Sequence, residues 1–600
     1  MLGRLSCVCS CPGRPRRAAT LRALWLAPVL CAVAAVRADG APAPAAPDLS
    51  DPAAVSGEAH EFGAEVQHVA VHPGYGPPDY TPGLPSDATL EKEGAVIGEV
   101  LIDNQNIFNL DDPKDDNKIF RLADRLHIKT RATVVRRQLL FKPGDRYSHR
   151  LVEESERLLR SQSYFYDAWI RPVRYHDGVV DLKITTKDVW TLNPGFNFGR
   201  SGGSNSTGAQ LEEENLLGTG AGLKYEYQSN IDRSGSSIDL SDRTAFGTWT
   251  SVDLHWGDFS DGQTRGINVT RPFYALDSRW DASGAILDDT QIDPLYDQGQ
   301  LIDQFQDRHT LVQAYYGWSA GMKDGWVQRW TAGMTYDEHL FAPVSNANGS
   351  TSLLPADRRF VYPFIEWDLV QDDYLKLWNH NQIARTEDFT LGTTASVRLG
   401  FAQSGWGSTS SAVLMNASAN KGFRNGGSTL LLSSDFSGRL EDHALQNGLL
   451  DGSVRYFVEQ SKNWLFYTTL QGTKGWNLDL DDQILLGGDN GLRGYPLRYQ
   501  DGTERALFSV EQRYFTDWYP FRLFRVGGAV FFDMGRTWGT APLAAPSLGL
   551  LKDFGFGARF GNARSGFGNV IHVDLAFPLD ANKGPGISKV QFLVQTEATF

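Results

Sequence analysis

Two short segments match the glycine-x-serine-x-glycine pattern that presents a nucleophilic serine in some hydrolases. They are Gly199–Gly203 and Gly317–Gly321. Such a serine acts from a sharp turn between a strand and a helix. Both segments instead lie in glycine-rich sequence that predicts strands or turns, and no helix is predicted after either serine. The sequence therefore predicts no catalytic serine, and we expect the protein not to be an enzyme.

Patterns that bind phosphate or metal are equally weak. Gly218–Gly222 is as rich in glycine as a phosphate-binding loop, but a strand-like stretch follows it where a phosphate site needs a helix. The 12 histidines are scattered without the spacing of metal ligands. Asp481 and Asp482 could attract calcium, although a solvated loop is the simpler explanation. We therefore expect neither a metal site nor a cofactor.

Residues 1–38 predict a secretory signal peptide. Six arginines and no acidic residue precede Asp39, and an apolar stretch from Ala23 to Val36 is followed by a small residue at the cut, Ala38. This stretch is shorter than the roughly 20 residues of a membrane-spanning helix. All 4 cysteines lie in the segment, so we expect no disulfide in the mature chain. Removal of the arginines changes the formal net charge from −14 to about −20, which disfavours nucleic-acid binding.

The mature chain has the composition of a transmembrane β-barrel. The sequence holds 61 glycines, 16 tryptophans, 21 tyrosines and 33 phenylalanines, and the mature part has no long apolar run. In such barrels lipid-facing and lumen-facing residues alternate along each strand. A soluble sandwich or propeller shares this alternation, so composition alone does not decide between them.

The C-terminal strands favour the barrel. Phe554, Phe556, Ala558 and Phe560 alternate with Gly555, Gly557 and Arg559, and Ile571 to Phe577 alternates in the same way. In the last strand Val590, Phe592, Val594, Ala598 and Phe600 share one face. Charges on one face and aromatic residues on the other need water inside and lipid outside. We therefore predict a barrel of about 16 antiparallel strands over residues 191–600.

Two regions precede the predicted barrel. Residues 39–93 are rich in alanine, proline and glycine, and predict a flexible linker. Residues 94–190 predict a compact α+β domain. Its pattern comprises a strand at 96–102, helices at 131–140 and 151–160, and a hairpin of strands at 168–173 and 178–184.

This small domain resembles a polypeptide-transport-associated (POTRA) domain. The resemblance rests on the turn Lys142–Asp145, the helix after it, Tyr164–Asp167 and the closing hairpin. The first half fits less well, because a charged insertion, Asn109–Asn117, precedes the first helix of the pattern. The resemblance implies a periplasmic domain whose exposed edge strand, in the hairpin from Ala168 to Ile184, docks client peptides by strand addition.

The barrel carries motifs of a known superfamily. Leu492–Tyr495 reads Leu-Arg-Gly-Tyr in a polar loop, Phe531–Gly535 reads Phe-Phe-Asp-Met-Gly on a strand, and Asn215–Gly220 forms an earlier glycine-containing turn. These motifs resemble, in order and distance, those of outer-membrane insertases of the BamA and TamA type and of two-partner-secretion transporters. With the POTRA-like region, the resemblance covers about residues 94–600.

The resemblance and the strand alternation together predict a lock between the loop and the lumen. Asp533 and Glu511 fall on the inward faces of their strands. We expect Arg493 to reach back into the lumen and pair with Asp533, with Glu511 nearby, because a guanidinium holds a carboxylate through two parallel hydrogen bonds. The alternative is that Arg493 is a solvent-exposed arginine of the loop without a partner in the lumen. The predicted lock residues are Arg493, Gly494, Tyr495, Glu511, Phe531, Asp533 and Gly535.

The resemblance also implies a function, partners and a location. It implies a factor of the Gram-negative outer membrane that assembles or translocates polypeptides, with the POTRA-like domain in the periplasm. Partners would be outer-membrane lipids, client polypeptides and the host barrel-assembly machinery, which reads a C-terminal signal that includes Phe592, Val594 and Phe600. The alternative is a passive, cation-preferring diffusion porin.

Overall fold

The computed structural model describes residues 81–346, 349–350, 353–539, 547–565 and 570–597. The predicted signal peptide, the predicted linker up to residue 80, and Phe600 lie outside these ranges. Residues from 81 onward belong to one compact unit. In this unit a small α+β domain, here called the N-terminal domain, precedes a closed antiparallel β-barrel.

The N-terminal domain is a three-stranded sheet packed on helices. Its elements in chain order are α1 (Asp87–Glu93), β1 (Val96–Gln105), α2 (Lys118–Leu126), α3 (Ala132–Arg137), α4 (His149–Arg160), β2 (Phe165–His176) and β3 (Val179–Asp188). The strand order is β1-β3-β2, with β1 parallel and β2 antiparallel to β3. The core is apolar, because Leu90, Ile97, Val135, Leu159 and Ile184 are buried together.

Three details of this domain differ from the predictions. The predicted linker ends before residue 93, because Ser86 caps α1 and Leu90 buries its side chain in the core. Helix α2 follows the charged insertion and was not predicted, since most of its apolar residues remain exposed. Helix α3 spans Ala132–Arg137 instead of 131–140.

The barrel has twenty strands. In chain order they are β4 (Leu192–Ser201), β5 (Ser204–Glu213), β6 (Ala221–Ser229), β7 (Ser234–Ala245), β8 (Thr250–Phe259), β9 (Gly262–Arg271), β10 (Trp280–Asp297), β11 (Gln300–Lys323), β12 (Trp326–Pro343), β15 (Arg358–Gln371), β18 (Thr394–Ala402), β19 (Ala412–Asn425), β20 (Ser428–Glu441), β21 (Ala444–Glu459), β22 (Trp464–Trp476), β25 (Glu504–Phe515), β26 (Phe524–Trp538), β27 (Leu551–Asn562), β28 (Val570–Pro578) and β29 (Gln591–Glu597). Three short hairpins interrupt this order, namely β13 (Ser345–Asn346) with β14 (Gly349–Ser350), β16 (Tyr374–Trp378) with β17 (Thr386–Thr390), and β23 (Ile484–Leu486) with β24 (Gln500–Gly502).

The prediction of about 16 strands is wrong. It assumed a long loop after every second strand, but several connections at both ends of the barrel are two-residue turns. Examples are the turns between Ser201 and Ser204, between Asp297 and Gln300, and between Glu441 and Ala444. Because tight hairpins use few residues, the same length of chain forms four more strands than predicted.

The outer surface of the barrel is apolar and its inner surface is polar. On β27 and β28, Phe554, Phe556 and Ile571 are exposed outward, whereas Arg559 and Asp574 are buried inside. This agrees with the predicted alternation and is the pattern of a transmembrane barrel, with lipid outside and a polar interior. None of the described helices is long and apolar enough to cross a membrane.

The two ends of the barrel are named here by their position relative to the N-terminal domain. The proximal end is the one where β4 begins, directly after β3, and the distal end is the opposite one. Two long connections between strands contribute segments to the lumen. The distal loop, residues 477–503, joins β22 to β25, and the lumen hairpin, formed by β16 and β17, lies in the proximal connection between β15 and β18.

Candidate functional site

The distal loop enters the lumen and is held there by Arg493. Its guanidinium donates to both carboxylate oxygens of Asp533 on β26, from Nε at 2.7 Å and from Nη2 at 2.8 Å. Nη1 donates to Glu511 on β25 at 2.7 Å. The Asp533 side chain is fully buried and that of Arg493 is 12% exposed. Two parallel charge-assisted bonds fix both the position and the orientation of the guanidinium.

Neighbouring groups complete this network. The Arg493 guanidinium carbon lies 3.5 Å from the ring centre of Phe531, within the range of a cation–π interaction. On the other side of Glu511, Arg513 donates from Nε at 2.8 Å. Ser509 donates its hydroxyl to Asp533. The two arginines and two carboxylates therefore balance one another in a buried place.

Two glycines of the motifs allow the loop to approach the wall. A Cβ atom on Gly494 would lie 2.7 Å from Asp553 Cβ and 3.1 Å from the Pro578 main-chain nitrogen. A Cβ atom on Gly535 would lie 2.9 Å from a methyl group of Leu486, a residue of the distal loop itself. Glycine is needed at both places because its lack of a side chain permits close contact with the backbone.

Tyr495 anchors the apolar part of the loop. Its side chain is buried and its hydroxyl donates to the Lys552 carbonyl at 2.7 Å. Leu486 and Leu492 from the loop pack with Tyr495 against Leu507 and Leu551 of the barrel wall. The predicted lock residues thus lie together in one network on β25, β26 and the distal loop.

Two of the predicted C-terminal signal residues, Phe592 and Val594, lie elsewhere, on the last strand, which closes the barrel against β4 at the seam between them. Phe592 is exposed on the outer face of β29, and Val594 is in register with Arg200 on β4. A cavity of about 700 Å³ lies beside the seam, with Arg200 and Val594 in its lining. Among the described residues, Val594 and Arg200 are the register pair that joins these two strands.

The lumen hairpin was not predicted from the sequence. Its Leu377 and Phe389 pack against Phe457, Leu465 and Phe515, which are inward-facing residues of β21, β22 and β25. At its tip, the His380 carbonyl accepts a hydrogen bond from Arg513 Nη1 at 2.9 Å. Arg513 thus bonds both to Glu511 of the distal network and to the lumen hairpin, and links the two inserted segments.

The N-terminal domain contacts both strands of this hairpin. Arg160 of α4 donates to the two carboxylate oxygens of Asp388 on β17, at 2.8 and 2.7 Å. Glu156 of the same helix accepts from Lys376 on β16 at 2.9 Å. Asp167 of β2 accepts from Thr386 at 2.7 Å. We call this set of ion pairs and hydrogen bonds the hairpin clamp.

Glu156 is ionised within the clamp despite its burial. Burial by itself raises the pKa of this carboxyl, but Lys376, Arg171 and Arg160 outweigh it and hold the pKa at about 2. A carboxyl with a lowered pKa stabilises the folded state above its ordinary pKa, and this contribution is lost as the pH falls towards 2. Glu156 therefore keeps its charge throughout the neutral and mildly acidic range. Asp167 differs, because burial raises the pKa of its carboxyl to about 6, and it becomes protonated in mildly acidic solution.

The charged insertion fastens the domain to the barrel at a second place. Asp115, which is fully buried, accepts from Arg522 Nε at 2.6 Å and from Arg564 Nη2 at 2.8 Å. These arginines belong to the proximal turns that follow β25 and β27. A third contact joins Asn215 of the early motif to Thr130, at 2.7 Å. The domain therefore touches widely separated turns around the proximal opening.

The two candidate serines lie in the barrel, as predicted. Ser201 ends β4 and donates its hydroxyl to the Gly488 carbonyl at 2.6 Å. Ser319 lies within β11 and donates to the Gln328 carbonyl at 2.8 Å. A nucleophilic serine needs a base as its hydrogen-bond partner, and these two hydroxyls instead bond to main-chain carbonyls.

Comparisons with known proteins give weak likenesses only. No family model and no curated protein sequence matches the chain. Among solved structures it is similar to BamA from Haemophilus ducreyi lacking POTRA domains 1–3, with 12% identity, a TM-score of 0.38, and coverage of 83% of this chain and 84% of that one. It is similar to CdiB from Acinetobacter baumannii, with 11% identity, a TM-score of 0.42, and coverage of 84% and 74%. The FrpB iron transporter from Neisseria meningitidis matches with 7% identity, a TM-score of 0.39, and coverage of 72% and 87%.

Proposed function

We propose that this protein is an outer-membrane factor that assembles or translocates polypeptides, with its N-terminal domain, of the POTRA kind, in the periplasm. The proposal rests on one observation, namely that two segments of the chain lie inside the lumen of the barrel. The distal loop is fastened inside the barrel by Arg493, and the lumen hairpin is fastened there from the proximal side by the N-terminal domain. A lumen with two removable inserts, one of them held by a separate domain, suits a channel that opens for a client.

A diffusion porin is the rival function. A porin needs a permanently water-filled channel, whereas here apolar side chains of the lumen hairpin cover the inner wall at Phe457 and Phe515. Passive diffusion through a porin also requires no separate domain that binds a segment inside the lumen. The clamp between Arg160 and Asp388 therefore favours the assembly or translocation factor.

The client strand is proposed to dock on β1 of the N-terminal domain. The sequence predicts docking on the hairpin from Ala168 to Ile184, whose outer edge is β2. Side chains of α4 already bond to main-chain groups of this edge. Glu156 accepts from the Ile170 main-chain nitrogen at 2.8 Å, and Arg160 donates to the Ala168 carbonyl at 3.1 Å. The opposite edge of the sheet is β1. Its start bonds to the turn at 144–147, where Ile97 donates to the Asp145 carbonyl at 2.8 Å, but further along the strand Leu101 is 40% exposed. An edge strand with exposed apolar side chains is the kind of surface on which strand addition occurs.

The seam between β4 and β29 is the proposed place where a client strand meets the barrel. The first and last strands of the barrel meet there, so no turn connects them and the wall can part between them without strain on a connecting loop. Opening would expose strand edges that can template another strand.

Depletion of the protein tests the proposed function. The outer-membrane proteome should lose a defined set of proteins, and expression of the wild-type chain should restore it. A variant that lacks residues 94–187 but still shows the heat-modifiable migration of a folded barrel should fail to restore it. Unchanged levels of every outer-membrane and exported protein after depletion would contradict the proposal.

Planar-bilayer recordings on the purified protein separate the two functions. We expect small, fluctuating conductance, because the inserts leave the lumen only transiently. Large and steady conductance would support the porin instead.

A further inference from the structure

A second cluster of chemistry-bearing side chains lies on the inner wall of β11 and β12, apart from the Arg493 network. His309 and His339 occupy directly opposite positions in the register of these strands. Their rings are stacked, with centres 4.1 Å apart and planes inclined by 7°. The two imidazoles therefore lie face to face across the two strands.

The two histidines converge on one carboxylate. Asp337 Oδ1 lies 2.9 Å from His309 Nε2 and 3.6 Å from His339 Nε2. All three candidate ligand atoms lie within 4.8 Å of one another. Ligands on a tetrahedral zinc ion, with bonds of about 2.0–2.1 Å, are separated by about 3.3 Å. The atoms lie near this spacing, and one ring must tilt out of the stack so that both nitrogens point at the same ion.

We propose that His309, Asp337 and His339 bind one divalent transition-metal cation of the zinc class. Two imidazoles and a carboxylate are a ligand set that such cations prefer over calcium or magnesium. Three protein ligands leave a fourth coordination position for water or another small ligand.

A further carboxylate orients one of the ligands. Asp307 accepts from His339 Nδ1 at 2.9 Å, which leaves Nε2 free of a proton and directed at the site. A carboxylate on the far nitrogen of a metal-binding histidine is the usual supporting contact. The Asp307 side chain is buried, and its second oxygen accepts no hydrogen bond from any residue that the structure describes.

The charges around the site also favour a cation. Asp307 belongs to a second group with Asp293 and Asp481, whose carboxylate oxygens lie within 4.8 Å of one another. The Arg358 guanidinium lies 3.8 Å from Asp481. Asp293, Asp307, Asp337 and Asp481 lie close together, and a divalent cation reduces the repulsion between their carboxylates.

The site lies at the distal border of the lipid-facing surface. The outward-facing neighbours on the same level, Arg308 and Glu338, are charged, whereas Val312 and Met334, further towards the proximal end, are exposed apolar residues. The Asp337 side chain is 29% exposed to the interior. The distal loop contributes Asp481 beside Asp307, so the site adjoins that loop at the distal end of the lumen.

Zinc titration of the full-length protein, purified in detergent and freed of metal with a chelator, tests the proposal. We expect one Zn²⁺ to bind per chain with an affinity on the order of micromolar or tighter. His309→Gln and His339→Gln should each weaken binding at least tenfold. Asp307→Asn should weaken it by about 10–100-fold, because it loses only the orienting contact. Co²⁺ should give the visible absorption of a tetrahedral site with nitrogen ligands.

The matched control is His255→Gln. His255 also pairs with a carboxylate of a neighbouring strand, Asp239. It belongs to no group of three candidate ligands among the described residues, so this variant should bind Zn²⁺ like the wild type. Each variant is first checked for heat-modifiable migration, and if His339→Gln does not fold, the more exposed His309 decides the test. The proposal is wrong if no stoichiometric Zn²⁺ binds, if His255→Gln loses as much affinity as His309→Gln, or if Ca²⁺ competes equally with Zn²⁺.

Discussion

At the scale of single residues, the Arg493 network explains why the loop motif has its composition. Arginine is needed because its planar fork reaches both oxygens of Asp533 and also Glu511. Glycine is needed next because any side chain at position 494 meets Asp553. Tyrosine follows because its ring fills an apolar cluster while its hydroxyl reaches a main-chain carbonyl. The contacts of Arg493, Gly494 and Tyr495 thus explain why each of these residue types occurs in the motif.

The pair between Arg493 and Asp533 should behave as one unit. Arg493→Ala and Asp533→Ala should each destabilise the seated loop by no more than about 3–5 kcal/mol. The double variant should cost less than the sum, with a coupling energy of about 1–3 kcal/mol. Protease sensitivity of the distal loop measures the effect. Arg536→Ala is the control, because Arg536 lies on the same strand as Asp533 but is exposed and donates to Ser547, outside the distal loop. Strict additivity would refute the lock.

Gly494→Ala tests steric fit without any change of charge. The added Cβ would lie 2.7 Å from Asp553 Cβ, so the loop must move from its seat. We expect the distal loop to become protease-sensitive to about the extent seen with Arg493→Ala. Gly284→Ala, in β10, is the control, because a Cβ there meets nothing within 4 Å. A loop that stays protected in Gly494→Ala would show that this approach is not tight.

At the scale of elements, the lumen hairpin connects the two parts of the molecule. Its apolar side chains hold it against the barrel wall, and its charged side chains hold it against helix α4. Movement of the N-terminal domain therefore pulls directly on an element inside the lumen. The tip of the hairpin bonds to Arg513, so the same movement reaches the network of the distal loop.

Loss of the clamp should loosen the hairpin. Arg160→Ala removes two hydrogen bonds to Asp388, and we expect more frequent and larger openings in planar-bilayer recordings. Asp388→Ala should have the same effect, and the double variant should add little. Arg174→Ala is the control, since Arg174 pairs with Asp181 within the domain and is 63% exposed. If conductance is unchanged in both single variants, the hairpin clamp does not control channel opening.

The last strand should carry information for assembly. Phe592 is exposed on the outer face of β29, and Phe600, outside the described residues, continues the same alternation. We expect deletion of Phe600, or Phe600→Asp, to reduce the amount of folded barrel in the outer membrane. Heat-modifiable migration of membrane fractions measures this. Normal levels of folded protein after either change would argue against a C-terminal signal.

At the scale of the whole molecule, the N-terminal domain is fastened around the proximal opening of the barrel. The clamp lies at one turn and Asp115 bonds to two others, through Arg522 and Arg564. Buried ion pairs contribute more to a defined orientation than to stability. The insertion Asn109–Asn117, which departs from the POTRA pattern, thus has an explanation in the interface that it forms.

Asp115→Asn should release this fastening while the domain stays folded. The substitution keeps the shape of the side chain but removes the charge that faces two arginines. We expect faster proteolysis at the junction between the domain and the barrel, at residues 189–191. Asp111→Asn is the control, because Asp111 lies in the same insertion and is exposed. Equal cleavage rates in wild type and Asp115→Asn would show that the insertion does not fix the domain.

Features that depend on local pattern could be predicted from the sequence alone. Period-two alternation indicates the lipid-facing and lumen-facing sides of strands such as β27 and β28, because successive side chains point to opposite faces. The sequence also argues against a nucleophilic serine at position 201 or 319, because glycine-rich strands or turns, and not helices, are predicted after both residues. The position of Asp533 on an inward face also follows from alternation alone.

Features that depend on register, closure and long-range packing required the tertiary structure. The strand number depends on turn lengths, which alternation does not report. The lumen hairpin could not be identified because Leu377 and Phe389 have the pattern of any strand pair, and only barrel closure makes the lumen that they fill. His309 and His339 lie on different strands with no local spacing to mark them. They become neighbours only because hydrogen bonding between β11 and β12 sets them directly opposite each other.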